Sequence, residues 1–215
     1  MKIMIIGATG MTGSAITAAA IAKGHSVVAI GRSQEKLDKL PASPNLTTKS
    51  EDAFKLTTEQ LQSVDVVVDA FASRPDQAYL HVDLATSLIA KLRGQKQPRL
   101  LFILGAGSLT TGSDKHLVVH DIESDPANAS FVAVPQNQLA ELNFLRDVKN
   151  VDWVGISPAA DFHAGPEVPA IYGTDELLIN EKGVSATNSG TMAAAVLKEL
   201  ENPSHHQTRF TVANK

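Results

Sequence analysis

Gly7, Gly10 and Gly13 stand three residues apart in "IGATGMTG", directly behind an apolar run that begins at Lys2. A glycine turn between a strand and a helix brings backbone N–H groups close to a pyrophosphate, and the unpaired amides of the helix start favour its negative charge. The spacing predicts a dinucleotide cradle of Gly7, Thr9, Gly10, Met11, Thr12 and Gly13, with the two threonines adding hydroxyl donors.

A second signal follows in "AIGRSQEK", where an NAD-preferring dehydrogenase carries an acidic residue for the ribose hydroxyls. Arg32 and Ser33 stand there instead. A guanidinium beside a hydroxyl suits a 2'-phosphate, so NADP is expected ahead of NAD.

Proton donors are harder to find. Reductases acting on alcohols or ketones commonly pair a tyrosine with a lysine four residues on, which lowers the tyrosine pKa. The two tyrosines here are Tyr79 and Tyr172, and four residues beyond them stand Asp83 and Glu176. The stretch that would carry the pair, "PQNQLAELNFLRDV" (135–148), offers Gln136, Asn137 and Gln138, which hydrogen-bond but do not release a proton near neutrality.

The remaining catalytic candidates are Ser108, at the end of a strand and placed to touch nicotinamide or substrate, and His163, just beyond "SPAAD" at the expected pocket mouth. "HLVVH" (116–120) spaces two histidines like a metal pair, but it reads as a loop or short strand and lacks a third ligand, so no metal is expected. Ser108, His116 and Asp121 lack the G-x-S-x-G elbow of a hydrolase.

These residues need a scaffold, and apolar runs at 2–8, 25–32, 65–71, 99–107 and 152–158 alternate with helical spacing at 11–23, 33–40, 57–62, 76–93 and 136–148. Continuous rather than alternating apolar runs mark strands covered on both faces. The expected fold is α/β, a doubly wound parallel sheet of Rossmann type, with "NLTT" (45–48) as a weaker third strand and a last strand near 208–212. The chain is read as one domain over 1–215, in which 159–205 contributes a small substrate-side lobe containing a helix at 188–201.

Composition narrows the classes further. Nineteen Lys plus Arg against 23 Asp plus Glu are scattered along the chain, for a net charge of -4, which argues against nucleic acid as a partner. No segment approaches the roughly 18 apolar residues of a membrane span. "MKIMIIG" reads as a first strand, and the absence of cysteine fits a reducing compartment, so a cytoplasmic location is expected.

Over nearly its whole length the chain resembles the NmrA-like, NAD(P)-binding atypical short-chain dehydrogenase/reductases, and within them the NADH-flavin reductase group. The resemblance rests on "IGATGMTGSAI" (6–16), "GRS" (31–33), "EDAF" (51–54), "DAF" (69–71), "LGAGSL" (104–109), "DWVGISPAADF" (152–162), "YGTDELL" (172–178) and "ELENPSHHQTRFTV" (199–212). It implies that Asp52 and Ala53 lie beside the adenine and that Ala70, Phe71 and Ala72 line the cofactor. It also implies that Gly105, Gly107 and Ser108 flank the nicotinamide ribose and that Pro158 to Phe162 wall the nicotinamide and substrate side. Arg74 and Gly190 depart from the family pattern and leave the substrate open. The implied activity is hydride transfer from NAD(P)H to a small-molecule acceptor, a flavin or quinone. The alternative is a redox sensor that binds NADP(H) and signals to a partner; a sugar-nucleotide epimerase would need the missing Tyr–Lys pair. Self-association is left open.

Overall fold

Strand positions that face helices on both sides must be apolar throughout, and the first strand shows it: Ile3, Met4, Ile5 and Ile6 are all buried. The computed structural model describes residues 1–215. In chain order the elements are β1 (Lys2–Ile6), α1 (Met11–Ala22), β2 (Ser26–Gly31), α2 (Gln34–Leu37), β3 (Leu46–Ser50), α3 (Thr58–Gln62), β4 (Val66–Asp69), α4 (Leu80–Leu92) and β5 (Arg99–Ile103). The short strands β6 (Thr110–Thr111) and β7 (His116–Leu117) lead into α5 (Val118–Ser124), α6 (Ala133–Arg146) and β8 (Trp153–Ser157). The chain closes with β9 (Asp161–His163), β10 (Ala170–Gly173), β11 (Ala186–Asn188), α7 (Ser189–Glu201) and β12 (Thr208–Asn214).

Eight strands form one sheet in the order β10-β12-β8-β5-β4-β1-β2-β3. All neighbours pair in parallel except β10, which runs antiparallel to β12 at the edge. Ile3 of β1 is in register with Val27 on one side and Val66 on the other. The chain therefore winds outward in opposite directions from β1 and β4, and the crevice at their carboxyl ends is the switch point where such sheets bind ligands.

The two residue parities of β1 build two cores. Met4 and Ile6 pack with Leu84 and Leu88 of α4 and Leu142 and Leu145 of α6. Ile3 and Ile5 pack with Ile16 and Ala20 of α1 and Val196 and Leu200 of α7. At the far end of the sheet the buried Arg99 donates to Glu199 Oε1 at 2.8 Å, tying β5 to α7.

The short strand expected in "HLVVH" is confined to His116–Leu117, and Val118–Ser124 form helix α5. Within 159–205, the stretch expected to form a small lobe, α7 lies in the helix layer beside α1. What extends from the layer is the segment holding the parallel pair β9–β11 and the edge strand β10. Apolar spacing identified the α7 helix but carried no information about which layer would receive it.

Candidate functional site

The turn after β1 forms because Gly7 takes φ +73°, a left-handed conformation that non-glycine residues avoid, and because a Cβ there would overlap the Ala70 carbonyl oxygen. Gly10 N donates to Gly7 O at 2.9 Å and closes the turn. Gly13 lets α1 settle on the Gly7 carbonyl, where a side chain would overlap. Gly10 is the N-cap of α1 and makes no side-chain capping bond, and no acidic residue sits in the first turn. The amides of that turn are therefore free to cap an anion.

Two cavities open at the carboxyl ends of β1 and β4. The first, about 360 Å³, is bounded by Gly7, Thr9, Gly10, Arg32, Asp52, Ala53 and Ala70 to Ala72, together with Ile6, Ile30, Gly31, Glu51, Phe54, Gln77 and Leu80. The second, about 310 Å³, is bounded by Gly10, Met11, Thr12, Ala70 to Ala72, Gly105 and Pro158, together with Ile103, Leu104, Ala106, Gln138, Ala159, Ala160 and Phe162. Gly10 and Ala70 to Ala72 belong to both. The Arg32 and Asp52 side and the Gly105 and Pro158 side of the crevice thus meet at Gly10 and at the Ala70 to Ala72 strand end. The glycine cradle, the uncapped helix start and the paired cavities together fit a dinucleotide.

Several residues singled out in the sequence sit elsewhere. Ser33 caps α2, accepting from Lys36 N at 3.3 Å, and lies outside the cavity wall. Gly107 packs on Pro135. Ser108 is 3% exposed: its hydroxyl donates to Gly105 O at 3.1 Å and accepts from Arg209 Nη1 at 3.2 Å. Ser108 is not among the residues bounding either cavity, and Arg209, which holds its hydroxyl, is itself buried and bonded to Ser157 and Asp175. His163 is half-exposed, 3.2 Å from Asp161, and outside the cavity wall, while its neighbour Phe162 takes the inward position in β9. The two ring nitrogens of His116 face Asp114 at 2.6 Å and Asp121 at 3.0 Å, so Ser108 and His116 do not meet.

Behind Phe71 lies a group of titratable side chains that the sequence did not signal. Asp69, the last residue of β4, accepts from Phe71 N at 3.0 Å. Burial pushes its carboxyl up to about 7. Burial, and after it the charge of Asp69, holds Glu141 well above the usual carboxylate range. His81 stands 3.8 Å from Glu141 and is lowered by burial to about 4, so it is neutral at pH 7. The His81 ring meets Phe71 edge-on, with centroids 5.3 Å apart, and Phe54 meets Phe71 from another side at 6.1 Å.

This crevice, cradle and sheet order define a dinucleotide-binding Rossmann protein. Residues 7–203 match the family described as NAD(P)H-binding. The chain belongs to that family, among the atypical short-chain dehydrogenase/reductase and NmrA-like proteins. It is 36% identical over 217 residues to the uncharacterised protein YwnB of Bacillus subtilis, covering 100% of this chain and 99% of that protein. Among solved structures, a Lactobacillus casei protein is similar with a TM-score of 0.91 and 38% identity, over 100% of this chain and 99% of that one. A Streptococcus pneumoniae protein, provisionally named an NADH-flavin reductase, is similar with a TM-score of 0.89 and 32% identity over 100% of both chains.

Proposed function

We propose that this NAD(P)H-binding protein is a reductase that delivers hydride to a flavin or quinone-type acceptor, with NADPH as the preferred donor. The observation that carries this reading is the second cavity, where no titratable side chain lines the wall; the adenosine half of the coenzyme is assigned to the Arg32 and Asp52 side, and the nicotinamide with its acceptor to this cavity. A ketone reductase needs an acid there, whereas a conjugated acceptor needs mainly a shaped apolar slot that stacks two rings. The provisional name of the Streptococcus pneumoniae relative points the same way.

When bound, the nicotinamide coenzyme supplies the hydride. The first-turn amides of α1, with Thr9 and Thr12, hold the pyrophosphate. Arg32, exposed at the rim of the first cavity and free of any ion pair, takes the 2'-phosphate. Asp52 orders the adenine side by accepting from Phe54 N at 3.1 Å. Phe71, Ile103, Leu104, Pro158 and Phe162 give the second cavity its apolar walls and exclude water from the transfer.

The test is NADPH oxidation, followed by absorbance with FMN, riboflavin and a simple quinone as acceptors. Turnover above the uncatalysed rate supports the reductase. Tight NADPH binding with no turnover of any acceptor overturns it in favour of a sensor.

A further inference from the structure

Helix α6 occupies the place where a tyrosine–lysine pair was sought, and three consecutive amides begin its second turn. Two are committed within the protein: Gln136 Nε2 donates to Glu123 at 2.8 Å, and Asn137 Nδ2 donates to the Ala133 carbonyl at 2.8 Å. Gln138 makes no side-chain hydrogen bond to the protein, and of the three it alone lines the second cavity. Its carboxamide oxygen faces the α-carbon of Gly105, where a Cβ would overlap it; after Oε1, the atoms next nearest to that point are Cδ and Cβ. The amide nitrogen is therefore turned away from Gly105, with its two N–H donors uncommitted.

An amide that opens onto a cavity with no protein partner is left for water or a ligand to complete. We infer that Gln138 is the hydrogen-bond donor to the acceptor, contacting the conjugated carbonyl or ring-nitrogen edge on which negative charge gathers during reduction. Hydride reaching the acceptor brings two electrons, NADPH becomes NADP+, and the charge comes to rest on the acceptor's carbonyl oxygen. Gln138 Nε2–H donates to that oxygen, and water then supplies the proton. The residue takes the electrostatic part of the missing tyrosine without its acid function. This rests on the reductase reading above, and it narrows the substrate class to planar acceptors with a hydrogen-bond-accepting edge.

The experiment compares Gln138→Leu, Gln138→Glu and Gly105→Ala with the wild type, using menadione turnover and, separately, FMN titration into the complex with NADP+. Gln138→Leu is expected to lower kcat/KM for menadione about 10- to 100-fold and to weaken FMN binding, with NADPH affinity unchanged. Gln138→Glu is expected to lose FMN affinity and turnover as its carboxylate ionises with rising pH and to recover them in acid, a profile that loss of packing alone would not give. Gly105→Ala displaces the amide without removing it and should likewise weaken FMN binding and menadione turnover, with NADPH affinity also altered because Gly105 lines the same cavity. Gln136→Leu, whose amide points elsewhere, should match the wild type. Wild-type turnover and FMN affinity in Gln138→Leu would overturn the assignment while the reductase stands. Absent turnover in the wild type would sink the reductase, and the FMN titration would still decide the contact at Gln138.

Discussion

Asp69→Asn should make the protein more stable at neutral and alkaline pH. Asp69 is 6% exposed, has no arginine or lysine beside it, and is held up to about 7 by burial, against an unfolded value near 3.8. The folded state therefore binds the Asp69 proton more tightly than the unfolded chain does. The sign follows: stability is highest below about pH 4 as far as this group is concerned, and it falls as pH rises through the window from about 4 to about 7. A gap of about three pH units, at 1.36 kcal/mol each, amounts to about 4 kcal/mol lost by neutrality. Asparagine keeps an oxygen for Phe71 N–H and removes the charge, and Glu141 is relieved of its neighbour. Urea unfolding of both proteins, at about pH 4 and about pH 8, should give curves that coincide in acid and differ by several kcal/mol in base. Parallel pH dependence in the two proteins, or an asparagine variant weaker at high pH, would refute the reasoning.

Arg32→Ala should weaken NADP(H) by roughly 1.5–3 kcal/mol through loss of a charge-assisted bond while barely touching NAD(H), as measured by titration of each coenzyme; equal losses would end the NADP preference. Gly7→Ala should cost about 1–2 kcal/mol for its left-handed backbone, and more from overlap with the Ala70 carbonyl, lowering Tm and coenzyme affinity together. Glu199→Leu removes one of the two carboxylates beside buried Arg99, leaving Asp152 at 3.4 Å, and should destabilise the fold by about 1.5–3 kcal/mol in chemical denaturation. Coenzyme binding by any folded fraction should be unchanged, because that pair lies at the opposite end of the sheet from the crevice.

The glycine turn and the cavity beside it were legible in the sequence because their determinants are local. Gly7, Gly10 and Gly13 act through the conformation of one turn, and Arg32 follows the next strand end, so spacing along the chain carries the information. The surroundings of Ser108 and His163 were not legible, for the opposite reason. Arg209, 101 residues away, captures the Ser108 hydroxyl, and the two-residue alternation of β9 turns Phe162 inward and His163 outward. The buried group of Asp69, His81 and Glu141 is assembled from β4, α4 and α6, and nothing in any one of those segments distinguishes it from surface charge. Gln138 was visible as an amide on the right helix, but its freedom from partners emerged only once Gln136 and Asn137 were seen to be engaged.

The segment from Ala70 to Ala72 bounds both cavities, which gives the molecule a party wall. A change at Phe71 made to suit a new acceptor also alters the seat of the coenzyme, so that wall can vary little without harm to both tenants. Gln138 and the 158–162 segment touch the second cavity alone. Diversification of acceptor choice among proteins built this way should therefore concentrate on α6 and the turn after β8, with the strand end at Asp69 kept as a fixed partition.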